Sequence, residues 1–369
     1  MSLRIYAAIV TGRLTKNQQD EVGALDGLNN ARYRMEILEP LIKDAYREIK
    51  DHETKNPAPD SVQRIFMAPE YYFSRQQQKD ARFFDESVRG WILFKLRALA
   101  RQCPDLLIVP GTVLWSSQAL TSPTQVQKQA LAKGASPKDA FKQAVLVAEL
   151  KNKPRIQAMQ ESLSKGQPDW QYSPSVAPVR AQALNPVALL GPNPMPLDVA
   201  FNTAYVLLGS TVLEYNKTGN YKEVKGEAKP LVFFSGGIKG IFSLGGIRYG
   251  LEICLDHNIG VLADVTNPQR KPVDVHLIVS DSVQFKQSDA KVIFHSSTVP
   301  KGTPVLGSGG RPELARTDPV LAQPGVTLAS QFGLKGSPVT VYVVDVPNLN
   351  ASGSNLTGIT VHLPDAWVA

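Results

Sequence analysis

The sequence predicts an α/β fold, with helices packed against a layered sheet core. Short apolar runs alternate with amphipathic helical stretches along the first third of the chain, which is the rhythm of an α/β sandwich. The composition is ordinary for a globular protein: 43% hydrophobic and 20% charged residues over 369 positions. That length permits one large α/β domain or two smaller ones, and residues 1–369 read as a single domain interrupted by a polar insertion over 116–197.

The first strand is expected over Leu3 to Val10, an apolar run fit for a strand buried on both faces. Thr11 to Leu28 is polar and glycine-bearing and reads as a loop. Asn30 to Asp51 follows as a helix, because Ile37, Leu38, Leu41, Ile42, Ala45 and Ile49 recur at helical spacing. Pro40 lies inside that pattern and is expected to kink or split it. Ile65 to Ala68 is the second strand, ended by Pro69, which has no ladder donor. Asp85 to Gln102 repeats the amphipathic pattern through Val88, Trp91, Ile92, Leu96 and Leu99. Leu106 to Val109 is the third strand, closed by Pro110-Gly111.

The alternation then stops. Residues 116–197 are rich in Gln, Lys, Ser and Pro, with helical patterns near Ala140 to Leu150 and Lys153 to Leu163. Prolines 174, 178, 186, 192, 194 and 196 make the end of the segment irregular. So long an interruption is either an arm for assembly or a lid over a site. After Phe201 the strands resume. Tyr205 to Leu208 and Thr211 to Tyr215 form a hairpin through Gly209-Ser210. Leu231 to Phe234, Ile238 to Leu244, Ile247 to Cys254 and Val275 to Val279 follow as strands. Asp289 to Ser296 reads as a short helix and Gly302 to Gly325 as a loop. Val339 to Val346 and Ile359 to Leu363 are the last expected strands.

Three strand ends carry reactive side chains. Tyr249-Gly-Leu-Glu-Ile-Cys-Leu-Asp256 ends in the thiol of Cys254, where the chain must turn and backbone N–H groups can stabilise a thiolate. Phe66-Met-Ala-Pro-Glu-Tyr-Tyr-Phe73 sets Glu70 amid apolar bulk, which raises a carboxyl pKa toward the range of a useful base. Thr211-Val-Leu-Glu-Tyr-Asn-Lys217 ends in an ammonium, with Lys222 and Lys225 as competitors. An acid, an ammonium and a thiol suffice for attack on a carbonyl or nitrile carbon. A Cys254–His257 pair is the competing arrangement, but residues so close within a turn rarely face each other.

These segments, in this order, resemble the nitrilase superfamily of carbon–nitrogen hydrolases. The resemblance rests on Pro69-Glu70, Tyr215-Asn-Lys217 and Ile253-Cys-Leu-Asp256, with Asn202-Thr-Ala and Asp274-Val-His-Leu-Ile-Val279 between and after them. It spans residues 4 to 285. It implies a four-layer α-β-β-α sandwich of two mostly six-stranded sheets. It also implies a Glu70–Lys217–Cys254 triad that cleaves a non-peptide C–N bond through a cysteine thioester. Glu227 is implied as a second glutamate orienting the lysine, with Glu223 as the alternative. Leu255 is implied as a backbone oxyanion donor, and Tyr71 and Tyr72 as walls of the acyl pocket. An arginine usual shortly after the aspartate is replaced here by His257-Asn258. The substrate implied is a small amide or nitrile, with no cofactor and with assembly into a homo-oligomer. The rival reading is a catalytically inactive binding or regulatory protein on the same fold.

Other classes find little support. The net charge of +7 is spread among acids rather than gathered into a basic block, so nucleic acid is not expected as a partner. No apolar run reaches the ~18 residues of a membrane helix. Two cysteines cannot build a disulfide framework, and a reduced cytoplasmic setting is expected. The five histidines show no metal-ligand spacing, so no metal is expected.

Overall fold

The structure is a computed structural model. It describes residues 2–12, 14, 16–58, 60–75, 82–121, 129, 132–134, 195–219, 231–233, 240–262, 272–281, 283, 290–299, 304–306, 312–314, 319–349 and 356–357. In chain order the elements are β1 (Ser2–Val10), α1 (Lys16–Gly23), α2 (Gly27–Lys55), β2 (Ser61–Met67), β3 (Phe84–Asp85), α3 (Glu86–Gln102), β4 (Leu106–Val109) and β5 (Thr112–Thr121). Next come β6 (Met195–Leu208), β7 (Thr211–Asn216), β8 (Leu231–Phe233), β9 (Gly240–Leu244), β10 (Ile247–Ile253), α4 (Leu255–Ile259), β11 (Val275–Ser280) and β12 (Val292–Ser297). The chain ends with β13 (Pro304–Leu306), β14 (Pro312–Leu314), β15 (Val320–Ala322), β16 (Thr327–Gly333), β17 (Val339–Pro347) and β18 (Leu356–Thr357).

Two sheets pack face to face, and the α/β class expected from the sequence holds. The first has ten strands in the order β16-β17-β1-β2-β4-β6-β5-β3, with β7 and β8 also paired to β6. The second has six, β15-β12-β11-β10-β9-β18. The count of ten exceeds the six expected, largely because β3, β5, β8 and β16 extend or branch the first sheet. Strand β1 shows how the layers form. Leu3, Ile5, Ala7 and Ile9 enter the core between the sheets, while Tyr6, Ala8 and Val10 face the cluster built on α2 and α3. Period-two alternation thus feeds two cores from one apolar run. Across the gap, Tyr249, Leu251, Ile253, Leu277 and Val279 supply the second sheet's inner face. Its outer face carries α4 and a smaller cluster of Ile278, Val283, Ala290 and Ile293.

Local chemistry explains the helix ends. Asp26 caps α2 by accepting from the Asn29 N–H, and Asp85 caps α3 by accepting from the Val88 N–H at 2.8 Å. Helix α2 runs from Gly27 to Lys55 without the break expected at Pro40, which lies on its exposed side where water can take up the freed carbonyl. Other expectations need correction. The loop expected over Thr11 to Leu28 contains α1. The helix expected over Asp289 to Ser296 is the fully buried strand β12, since Val292, Ile293 and Phe294 pack well on a pleated surface. The loop expected over Gly302 to Gly325 contains β13, β14 and β15. Strands β5 and β6 pair antiparallel from Thr112↔Ala204 out to Thr121↔Met195, so both ends of the 116–197 segment are ladder strands. The helical patterns within that segment and the strand expected at Ile359 to Leu363 lie outside the described residues.

Candidate active site

Parallel strands deliver their C-terminal ends to one place where the sheets meet. Glu70 follows β2, Lys217 follows β7, Cys254 follows β10 and Asp281 follows β11. The carboxylate comes first because its turn is the most constrained. Gly111 comes so close, at φ +80°, that a Cβ there would sit 2.2 Å from the Pro69 carbonyl oxygen. The Tyr71 N–H donates to Thr112 Oγ1 at 2.9 Å, holding Tyr71 at φ 60°, in the left-handed region that non-glycine residues avoid. The result is a Glu70 side chain with no exposed surface.

Buried charge must be compensated. Glu70 Oε1 accepts from Lys217 Nζ at 2.7 Å and from Asn202 Nδ2 at 2.9 Å, and Oε2 accepts from the Asp281 N–H at 3.0 Å. Lys217 is 1% exposed, so the pair is an ion pair removed from water. Its ammonium also lies over the Tyr71 ring, 5.7 Å from the centroid. The strand pairing that places Lys217 is local: its N–H donates to the Asn202 carbonyl at 2.8 Å, continuing the β6–β7 ladder.

Cys254 completes the cluster. Its thiol lies close enough to Glu70 and Lys217 for both charges to act on it, and the Asp281 N–H that donates to Glu70 is beside it. Cys254 as a residue is half-buried, whereas Cys103 is buried and its thiol is pushed up to about 11 by burial. Burial also pushes the Cys254 thiol well above its usual value, the negative Glu70 adds to that, and Lys217 opposes it. At rest the sulfur is therefore a thiol beside an acceptor carboxylate. The backbone at Cys254 has φ 47° and ψ −102°, a strained conformation for a non-glycine residue. Such strain persists only where the surroundings fix it, and one tie is visible: the Cys254 N–H donates to the Val279 carbonyl at 2.9 Å.

Asp256 supplies a second tie. It accepts from Tyr215 Oη at 2.7 Å, from the Thr218 N–H at 3.1 Å and from the Gly219 N–H at 2.6 Å. Burial pushes its carboxyl up to about 7 against the pull of Lys217 and these donors. The aspartate two residues after the thiol thus grips the backbone just after the lysine. Gly219 makes the approach possible, since a Cβ there would meet Leu255 at 2.9 Å.

The structure brings Glu70, Lys217 and Cys254 together, with Tyr71 beside the lysine. Leu255 opens α4 directly after the thiol. Tyr72 turns the other way and joins the helix-facing core with Phe73. Glu227 and Glu223 lie outside the described residues. His257 does not face Cys254; its Nδ1 contacts Glu252 at 2.8 Å. Sequence reasoning singled out the Asn202 strand without assigning its side chain to the carboxylate, and it missed Asp281. The signal for Asp281 was available, because it ends the apolar strand that follows the cysteine strand.

No protein-family model matches the sequence, and no curated protein matches it. Among solved structures, the chain is similar to carbon–nitrogen hydrolases. A CN-hydrolase superfamily protein of Xanthomonas campestris is 12% identical with a TM-score of 0.33, over 88% of this chain and 90% of that one. An amidase from Nesterenkonia sp. AN1, solved with butyramide, is 14% identical with a TM-score of 0.34, over 94% of this chain and 91% of that one. A carbon–nitrogen hydrolase from Helicobacter pylori G27 is 10% identical with a TM-score of 0.34, over 86% and 88%.

Proposed function

We propose that the protein is a carbon–nitrogen hydrolase that cleaves a small amide, or a nitrile, through a thioester on Cys254. The observation that carries this reading is the buried Glu70–Lys217 ion pair set beside the Cys254 thiol. Glu70 takes the thiol proton as sulfur attacks the amide carbon, and the C–S bond forms. The negative charge on the carbonyl oxygen is met by Lys217 and by the Leu255 N–H. Glu70 returns the proton to the nitrogen, the C–N bond breaks, and ammonia or an amine leaves. Water then gives a proton to Glu70 and its oxygen to the thioester carbon. The acid departs as sulfur regains the proton.

Burial supports the division of labour. An ionised Glu70 held by three donors keeps a fixed geometry, while the raised thiol pKa keeps the proton on sulfur until a carbon centre is present. Tyr71, beside Lys217, would bound the acyl group. Intact-mass measurement of the protein with a panel of small amides and nitriles tests the reading. The expected result is an acyl adduct that disappears in Cys254→Ala. Absence of adduct and of turnover across the panel would leave the inactive binding protein as the better account.

A further inference from the structure

Three buried donor groups converge behind the nucleophile, on the second sheet's outer face. Glu252 comes from β10, His257 from α4 and His276 from β11, and one ligand atom of each lies within 4.8 Å of the others. Glu252 Oε2 is 2.8 Å from His257 Nδ1 and 2.9 Å from His276 Nε2. The three residues are 1%, 4% and 2% exposed. The second carboxylate oxygen, Oε1, accepts from the Leu262 N–H at 2.8 Å. Glu252 therefore presents one oxygen to both imidazoles while an amide fixes the other, the way outer contacts orient a monodentate metal-binding carboxylate. Among the described residues, no lysine or arginine forms an ion pair with Glu252, so the carboxylate is buried with only histidines as side-chain partners.

We propose that Glu252, His257 and His276 bind one divalent transition-metal ion of the zinc class. Two imidazole nitrogens and a carboxylate oxygen suit such an ion and do not suit calcium or magnesium, which take oxygen ligands. Glu252 Oε2, His257 Nδ1 and His276 Nε2 are the protein ligands, and water fills the fourth position. To bind the ion, the nitrogens that face Glu252 Oε2 give up their N–H, and each ring keeps its proton on the other nitrogen. The ion ties together the strand that ends at Cys254, the strand beside it and the helix that follows. That is the part of the backbone held at φ 47°. Its role is to brace the nucleophile turn, and it takes no part in making or breaking the thioester. The proposal does not depend on the hydrolase reading.

The test uses the full chain carrying Cys254→Ser, so that sulfur cannot contribute a ligand. Tag-free, chelator-treated protein is titrated with Co²⁺, following its visible absorption, and then with Zn²⁺ in competition. The expected result is one equivalent bound per chain with a nitrogen–oxygen spectrum, and a thermal midpoint that rises with Zn²⁺. Adding His276→Ala or the isosteric Glu252→Gln should weaken binding by about 100-fold or more, since loss of an outer contact alone costs about 10–100-fold. If His276→Ala does not fold, Glu252→Gln carries the comparison. Failure of the folded Cys254→Ser protein to take up one equivalent overturns the proposal, as does binding of equal strength in the Glu252→Gln variant. Either result leaves the trio as a hydrogen-bonded brace and leaves the hydrolase reading untouched.

Discussion

At the scale of single residues, Glu70 does two opposite things to Cys254. Its charge holds the proton on sulfur at rest, yet in the proposed reaction it is the group that removes that proton during attack. Glu70→Gln separates the two effects. Turnover should fall by about 10²–10⁴, the range that a positioned base supplies. The thiol of the same variant should become more acidic, because the negative neighbour is gone while Lys217 remains. Alkylation of Cys254 by iodoacetamide, followed against pH, should therefore shift to lower pH in Glu70→Gln even as catalysis is lost. An unchanged alkylation profile would mean the carboxylate does not act on the sulfur. The sequence made this trio legible because each member stands at a strand end with its own short motif. It hid Glu252, because a glutamate inside an apolar strand has no motif, while Asp281 was marked only by its place at the end of the next apolar strand. It hid the Glu70–Asn202 contact for another reason: only the β6–β7 pairing register brings that side chain to the carboxylate.

At the scale of elements, the site depends on close backbone approach between the β2 and β4 ends. Gly111 is the test, being the point where the chain leaving β4 passes the Pro69 carbonyl. Gly111→Ala should cost about 1–2 kcal/mol for the left-handed backbone and about 1–3 kcal/mol more for crowding. It should also lower activity per folded molecule by displacing Glu70. Gly209→Ala is the control. Its φ of +56° carries the same backbone penalty, but the nearest atom to its Cβ is 3.7 Å away, and its hairpin turn lies at the opposite end of β7 from Lys217. Denaturant midpoints paired with specific activity distinguish them: both variants lose stability, and only Gly111→Ala loses activity. Full specific activity in Gly111→Ala would show that the Glu70 turn tolerates movement. Periodicity revealed α2, α3 and the inner strands because burial imposes a pattern on them. It missed β16, whose residues are mostly exposed, and it misread β12, whose short apolar run suits a helix or a strand equally.

At the scale of the whole molecule, the second sheet buries two histidines within its strands, His276 and His295, and this should set its acid stability. His295 lies in β12 with its Nε2 2.6 Å from Ser280 Oγ, and it is 1% exposed. Burial lowers its pKa to about 3, helped by the nearby His257 and His276. The sign follows from proton counts. Between pH 3 and 6.5 the unfolded chain binds a proton at this position and the folded chain does not, so stability is full above the unfolded value and is lost as pH falls. From pH 7 to pH 5 the loss attributable to this histidine is about 2 kcal/mol, taking about 1.4 kcal/mol per pH unit below the unfolded pKa. That interval lies above the range in which ordinary carboxylates titrate, so His295 can be read apart from them. Urea unfolding of wild type and His295→Gln at pH 7 and pH 5 measures the difference. The variant starts less stable, because a buried hydrogen bond to Ser280 is disturbed, but its stability should change less between the two pH values, by about the same 2 kcal/mol. Parallel losses in the two proteins would mean that His295 takes up its proton without unfolding, and that the sheet's outer face admits water.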